Sequence, residues 1–228
     1  MDAIKLEVIY RATEQIISEL SYNMMRTGYS TIIKESKDFS FAIFDGDARV
    51  VAQYLDQPVQ TGAIEAQVKE VGRRGGGEEG DAFVVNHPYQ ACCNHATDIA
   101  LISPVFYQGK RVAYVGNTAH KQDIGGMVPG TNCGVATSLF QEGLLIPPVK
   151  LYERGKLNEG LRDVIKANTR TPEITWGDVQ AQAQTNFYGA KKIIELIEKY
   201  GLEDVTACWS EWTTICEREI RKEVRKIP

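Results

Sequence analysis

The sequence predicts an α+β fold: a mixed or antiparallel sheet built from hairpins in the first half, flanked by helices, with a helical C-terminal third. Three observations carry that expectation. The β-branched and aromatic runs at 39–43, 84–85, 99–106 and 112–115 all lie before residue 120 and are bounded by Gly, Pro, Asn or Asp. Two pairs of runs are joined by short turns, around Asp45-Gly46-Asp47 and Tyr107-Gln108-Gly109-Lys110, which favours hairpins. From about 157 to 228 the pattern is helical, so helices collect in one part of the chain instead of alternating with strands.

In order, Ile4, Val8, Ala12, Ile16 and Leu20 recur every four residues, with Ile9 and Ile17 widening the stripe, which predicts an amphipathic helix over 4–25. Phe39, Phe41 and Ile43 alternate with smaller residues, turn at Asp45-Gly46-Asp47 and return through 49–53. Thr61 is the expected cap of a helix running to about Arg74. Gly75-Gly76-Gly77-Glu78-Glu79-Gly80 lacks the Lys-Ser/Thr of a phosphate-binding loop and reads as a flexible connection. Residues 125–145 are glycine-rich and weakly periodic, a pattern that wraps over sites more often than it builds cores. Residues 147–151 read as extended and 158–168 as a helix. Pro172 opens a further helix with Phe187, Ala190, Ile194 and Ile197 as its apolar face and Gly201 as its stop. The last helix, 203–226, carries Trp209, Trp212 and Ile215. Those aromatics fit a protein contact and a buried intramolecular helix equally well.

The 228 residues show no internal repeat, low-complexity segment or clear linker, so 1–228 is treated as one unit. A net charge of −4 argues against nucleic acid as the main partner. No apolar run approaches the roughly 18 residues a membrane span needs, and MDAIKLEVIYRATEQ has no signal-peptide core. Five cysteines, an odd number without C-x-x-C spacing, suit a reducing cytoplasm better than a disulfide framework or a zinc ribbon.

All three histidines fall within 81–126. His95 and Asp98 stand three apart at the start of one predicted strand, and His120 leaves the other. The outer ends of a hairpin lie side by side, so these residues are expected to meet, as in a metal site assembled from short polar insertions into an apolar sheet. An isolated H-x-x-D pair is also compatible with a plain loop histidine. Asp45 and Asp47 read as a solvated turn. Asp123 fits either a side chain orienting a ligand or a solvent-exposed one.

Several blocks, LEVIYRATEQIISEL, MMRTGYSTIIKESKDFSFAIFD, GDAFVVNHPY, NHATDIALISPVF, NTAHKQDIGGMVPG, FQEGLLIPPVKLYERG and GDVQAQ, occur in an order that resembles the N-terminal part of the hydantoinase B/5-oxoprolinase family, and more distantly the acetone carboxylase large subunit. The resemblance covers nearly the whole chain and implies the N-terminal, metal-bearing portion of a B-type subunit. Members are considerably longer, so it further implies a fragment, a processed piece or a split subunit, with another chain supplying the C-terminal half. It implies a hydantoinase A-type partner with an actin-like ATPase fold that uses ATP and magnesium. The implied chemistry is opening of a small cyclic amide or imide of the hydantoin or oxoproline type. Carboxylation of a ketone and a non-catalytic assembly role are the alternatives.

Carried over residue by residue, the ligand set implied by the resemblance is Asp38, His95, Asp98 and His120. Two imidazoles and two carboxylates suit zinc, manganese or iron. Taken alone, Asp38 could equally bind backbone amides in a turn. His87, Asp123, Gly125, Gly126 and Glu142 are expected around the site or its pocket, and no catalytic residue is assigned. The chain departs from many relatives at His87, where an acidic residue is common, and at Ala91-Cys92-Cys93, where Gly-Gly-Thr is common. The two cysteines fit extra metal donors or, better, small buried residues. Lys121 replaces a second histidine. It reads as a surface lysine, with a phosphate or carboxylate contact as the sharper reading.

Overall fold

The computed structural model describes residues 2–54 and 57–227. Helix α1 (Ala3–Thr27) opens the chain, and its buried face is Ile9, Thr13, Ile16, Leu20 and Met24. Ile4 and Val8, part of the expected stripe, are exposed, because the face is centred one position further round. Thr13 sits within it at no cost in hydrogen bonds. Its hydroxyl donates to the Ile9 carbonyl (2.9 Å) and accepts from the Trp209 indole (3.1 Å).

A single turn, α2 (Thr31–Lys34), is capped by the Ser30 side chain. Strands β1 (Phe39–Asp45) and β2 (Val50–Tyr54) form the expected hairpin. The Asp45 carboxylate accepts the backbone N–H groups of Asp47 and Arg49 there, as a turn aspartate does. Helix α3 (Pro58–Arg73) starts three residues before Thr61, with Pro58 preset for the first helical position. Thr61 is therefore inside the helix instead of capping it, and its side chain lies outside the described residues.

Then come β3 (Ala82–Val85), the short α4 (Pro88–Ala91), β4 (Asp98–Tyr107) and β5 (Lys110–His120). The loop 121–148 contains one 3-10 turn, Leu139–Gln141. Strands β6 (Val149–Glu153) and β7 (Lys156–Leu157) precede α5 (Glu159–Ala167), α6 (Pro172–Tyr200) and α7 (Leu202–Val224). No described helix is long and apolar enough to cross a membrane.

The seven strands form one antiparallel sheet in the order β2-β1-β5-β4-β3-β6-β7. Alternation along β1 and β5 divides the core. Phe39, Phe41, Ile43 and Val115 face α1, α6 and α7, whereas Ala42, Phe44 and Tyr114 face α3. At Gly116 a Cβ would sit 3.0 Å from Ile64 Cγ2, so glycine lets α3 lie close on the sheet.

Helix α6 buries only part of the face its apolar residues suggested, Ile197 fully. Phe187, Ala190 and Ile194 are only half-buried, while Gln182 and Asn186 point into the sheet and buried Asp178 accepts the amides of Tyr29 and Ser30. Gln182 Nε2 donates to the Ile99 carbonyl (2.9 Å) and Asn117 Oδ1 (2.6 Å). Asn186 Nδ2 donates to the Leu101 carbonyl (3.0 Å). A buried amide is tolerated when strand carbonyls take its protons. The tryptophans of α7 make intramolecular contacts: Trp209 is 2% exposed and Trp212 stacks on Tyr10, centroids 4.0 Å apart.

Candidate metal centre

Asp98 and His120 are register partners at the open end of the β4–β5 hairpin, on the face that carries α3. His95 arrives from the irregular segment before β4, where the Asp98 amide donates to the His95 carbonyl (3.2 Å). Asn86, fully buried, holds that segment. Its Nδ2 donates to the Ala96 and Leu144 carbonyls, and its Oδ1 accepts from the Ile146 amide (2.6 Å). One amide thereby ties β3, the His95 segment and the end of the glycine-rich loop together.

Three donor atoms converge. Asp98 Oδ1 lies 3.0 Å from His95 Nε2 and 3.0 Å from His120 Nδ1, and the two nitrogens are 3.2 Å apart. Ligand atoms about 2.0–2.1 Å from a tetrahedral ion stand roughly 3.3 Å from one another, so this triangle fits a zinc-like ion with little movement. Two imidazoles and one carboxylate are donors of borderline softness, suited to zinc, manganese or iron. The Asp98 and His120 side chains are buried, and His95 is 36% exposed, so the open side of the triangle lies toward His95.

Burial opposes ionisation of Asp98, yet hydrogen bonds to His120 and His95 and their charge outweigh it and hold the carboxyl down at about 2. The hydrogen bond to Asp98 raises the His95 imidazole, against its burial. Anion and ring thus stabilise each other.

The triangle forms one wall of a cleft of about 400 Å³ that Asp38, Gln60 and Thr131 also line. Asp38 shares the cleft without joining the triangle. Its Oδ1 accepts from Gln60 Nε2 (2.9 Å), while its carbonyl accepts the His120 amide (3.0 Å). Gln60 is 1% exposed and its Oε1 has no hydrogen-bond partner among the described residues, so a polar demand remains on this wall. Thr131 Oγ1 lies 2.6 Å from His120 Nε2 and fixes the ring from the side away from Asp98.

The other expected residues separate. Asp123 is neither solvent-exposed nor on the triangle. It is buried and accepts from the amides of Gly125, Gly130 and Arg170 and from the Arg170 guanidinium (3.0 Å). Its role is to shape the loop, which places Thr131 next to Gly130. Gly125 has φ +80°, and a Cβ there would fall 2.0 Å from the Asn168 carbonyl oxygen. At Gly126 it would fall 2.7 Å from that of Glu142. Glu142 adds to the field that raises His95. His87 caps α4 by accepting the Gln90 amide (3.3 Å) and does not line the cleft. Cys93 is buried, its thiol pushed up to about 12 by burial, and Cys92 is exposed. Neither belongs to the donor group.

Lys121 corrects the sequence reading most sharply. It is fully buried rather than on the surface, because alternation along β5 turns it away from His120 toward α6 and Asp178. Its Nζ donates to the Ala119 carbonyl (2.9 Å). Burial lowers its pKa to about 8 against the pull of Asp178, Asp98 and Asp38. Sequence reasoning also passed over Asn86, Gln60 and Thr131. None carries a motif, and only the N-H-P-Y block hinted at Asn86.

Comparison with known proteins agrees with this architecture. The chain is similar over its full length to the putative D-/L-hydantoinase B-type subunit of a Pseudomonas species, at 33% identity over 236 residues, and spans 40% of that protein. The crystal structure of the ATP-dependent caprolactamase from Pseudomonas jessenii superposes with a TM-score of 0.93 at 32% identity, covering all of this chain and 40% of that one. A nucleotide-free acetone carboxylase structure shares the fold, with a TM-score of 0.85 at 18% identity over 92% of this chain and 28% of that one. The chain thus spans about two-fifths of the length of the hydantoinase protein and of the caprolactamase chain. The family model described as hydantoinase B/oxoprolinase matches residues 2–228, and the chain belongs to that family.

Proposed function

We propose that this chain is the metal-holding N-terminal portion of a B-type subunit in an ATP-dependent hydrolase that opens small cyclic amides or imides. The observation that supports it is the triangle of His95, Asp98 and His120 donors, 3.0–3.2 Å on a side, in a cleft large enough for a small ring. Asp38 is the proposed fourth ligand, released from Gln60 when the ion binds. Zinc, manganese and iron all suit these donors.

A bound divalent ion would supply Lewis acidity toward a carbonyl or phosphoryl oxygen. The chain's own residues do the rest. Asp98 keeps both imidazoles facing one point, Thr131 orients His120, and the loop pinned by Asp123 covers the cleft. His95, the exposed member, is the side from which substrate approaches. A hydantoinase A-type subunit with an actin-like fold would supply ATP hydrolysis, and a second polypeptide segment would supply the remainder of the B-type subunit. Five cysteines without a disulfide pattern fit a reducing, cytoplasmic setting for this reading.

The test is metal content by elemental analysis of the purified protein with whatever co-purifies, prepared without chelator, for wild type, His95→Ala and His120→Ala. About one ion per chain in wild type, lost in both variants, is expected from the donor set. Hydrolysis of cyclic amides with ATP should then require the same histidines. A metal-free wild type sinks the proposal.

A further inference from the structure

At the other end of β5 from His120, a second cleft of about 680 Å³ opens between the β1–β2 turn, the last turns of α3, helix α4 and the start of β5. Two buried polar atoms on its wall have no partner among the described residues, Arg111 Nε and the Tyr114 hydroxyl. Tyr114 is 1% exposed, so its hydroxyl becomes available to a ligand oxygen only once the Arg111 guanidinium shifts off its ring. The Arg111 guanidinium lies over the Tyr114 ring, 5.1 Å from its centroid, and among the described residues reaches the backbone only through a long 3.5 Å hydrogen bond to the Gly75 carbonyl.

The triglycine loop explains how this pair is held. Gly76 has φ +71°, and a Cβ there would fall 2.0 Å from Arg111 Nη1 and 2.7 Å from the Tyr114 hydroxyl oxygen. The loop is therefore bare backbone pressed against Arg111 and Tyr114, and glycine at 76 is required for it.

The chemistry of the wall selects the ligand. A guanidinium can only donate, and the unpartnered phenol hydroxyl beside it is free to donate as well. Lys69 and Arg73 also line the rim, but each is paired, with Glu65 and Glu70, so Arg111 is the cation left for a ligand. The carboxylates on the wall are already engaged, Glu70 by Arg74 (2.8 Å) and Asp47 by Arg49 (3.5 Å), so they do not occupy Arg111. Paired donors without an acceptor match an oxyanion with two oxygens, and the volume leaves room for an organic body behind it.

We infer that this cleft is an anion site separate from the histidine cluster, binding a small organic carboxylate or phosphate with one oxygen on Arg111 and another on the Tyr114 hydroxyl. Equilibrium dialysis of the whole, chelator-treated chain tests it, with labelled inorganic phosphate and labelled glutarate as separate probes. Saturable binding of at least one is expected, weakened about tenfold or more by Arg111→Gln and by Tyr114→Phe, and unchanged in His120→Ala. Binding of phosphate alone assigns the phosphate class, and binding of glutarate alone the carboxylate class. Tyr114→Phe keeps the ring in the core and decides the matter even if Arg111→Gln fails to fold. No binding of either probe at millimolar concentration, binding that survives both substitutions, or loss in His120→Ala would each overturn the assignment.

Discussion

Asp98 and His120 are paired residues of the β4–β5 ladder, and their side chains touch at 3.0 Å between Oδ1 and Nδ1. Partners in an antiparallel ladder share a face, so the carboxylate and the ring meet through strand pairing alone. This half of the site is as rigid as the hairpin. His95, coming from an irregular segment, is the half that depends on Asn86 and on the loop.

Removal of a donor should therefore be read in metal affinity. His120→Ala, His95→Ala and Asp98→Asn are each expected to weaken binding by more than about 100-fold, beyond what a supporting residue costs. Asp38→Ala should cost at least about tenfold if its carboxylate leaves Gln60 for the ion. Competition titrations against a chromophoric chelator measure all four. Wild-type affinity in Asp38→Ala would leave Asp38 as Gln60's partner and nothing more.

Thr131 tests the supporting layer. Its hydroxyl is 2.6 Å from His120 Nε2, the nitrogen that does not face Asp98. Thr131→Val keeps the shape and removes the hydrogen bond, so affinity should fall about 10- to 100-fold. Thermal stability should hardly change, since the residue sits on a half-buried loop. An unchanged affinity would mean that ladder packing alone orients the ring.

Much of this was legible in the sequence, for identifiable reasons. The β4–β5 hairpin was readable because its apolar runs and its Gln108-Gly109 turn are local signals, and ladder geometry then pairs Asp98 with His120, leaving His95 only its three-residue spacing from Asp98 to bring it near. The polar face of α6 was not readable. Asp178, Gln182 and Asn186 look like a solvated stripe until their partners, strand carbonyls more than eighty residues away in two cases, are known. Lys121 misled for the same reason: composition places lysine outside, and only the alternation of β5 turns it into the core. Asp38 remains suggested by its family block more than by geometry.

The loop over the cleft depends on Gly125. Its φ of +80° and the 2.0 Å approach of a Cβ to the Asn168 carbonyl oxygen leave no room for alanine. Gly125→Ala should cost on the order of 3 kcal/mol, combining backbone strain with overpacking. Gly134→Ala, where a Cβ meets nothing within 4 Å, should stay within about 0.5 kcal/mol. Urea unfolding of the pair separates the two cases. Equal stability of both variants would show that the loop tolerates displacement from α5.

Lys121 makes the last prediction, one of sign. Burial lowers its pKa from 10.5 to about 8, while Asp178, Asp98 and Asp38 pull it back up. Below about 8 the folded and unfolded chains both hold the proton, and the folded state carries the whole cost of a buried cation. Between about 8 and 10.5 the unfolded chain keeps the proton and the folded chain releases it, so this contribution to stability rises with pH. Its full span is about 3 kcal/mol at 1.36 kcal/mol per pKa unit. Lys121→Met has no such group. The Cys93 and Cys208 thiols, raised to about 12 and about 11 by burial, tilt stability the other way above pH 9, but do so in both proteins. The measured quantity is therefore the stability of wild type minus that of Lys121→Met, from urea unfolding of metal-free protein at pH 7 and pH 10. That difference should move toward wild type by roughly 2–3 kcal/mol. A difference that does not change with pH would show that Asp178 keeps Lys121 protonated throughout, making the two a closed buried ion pair instead of an uncompensated charge.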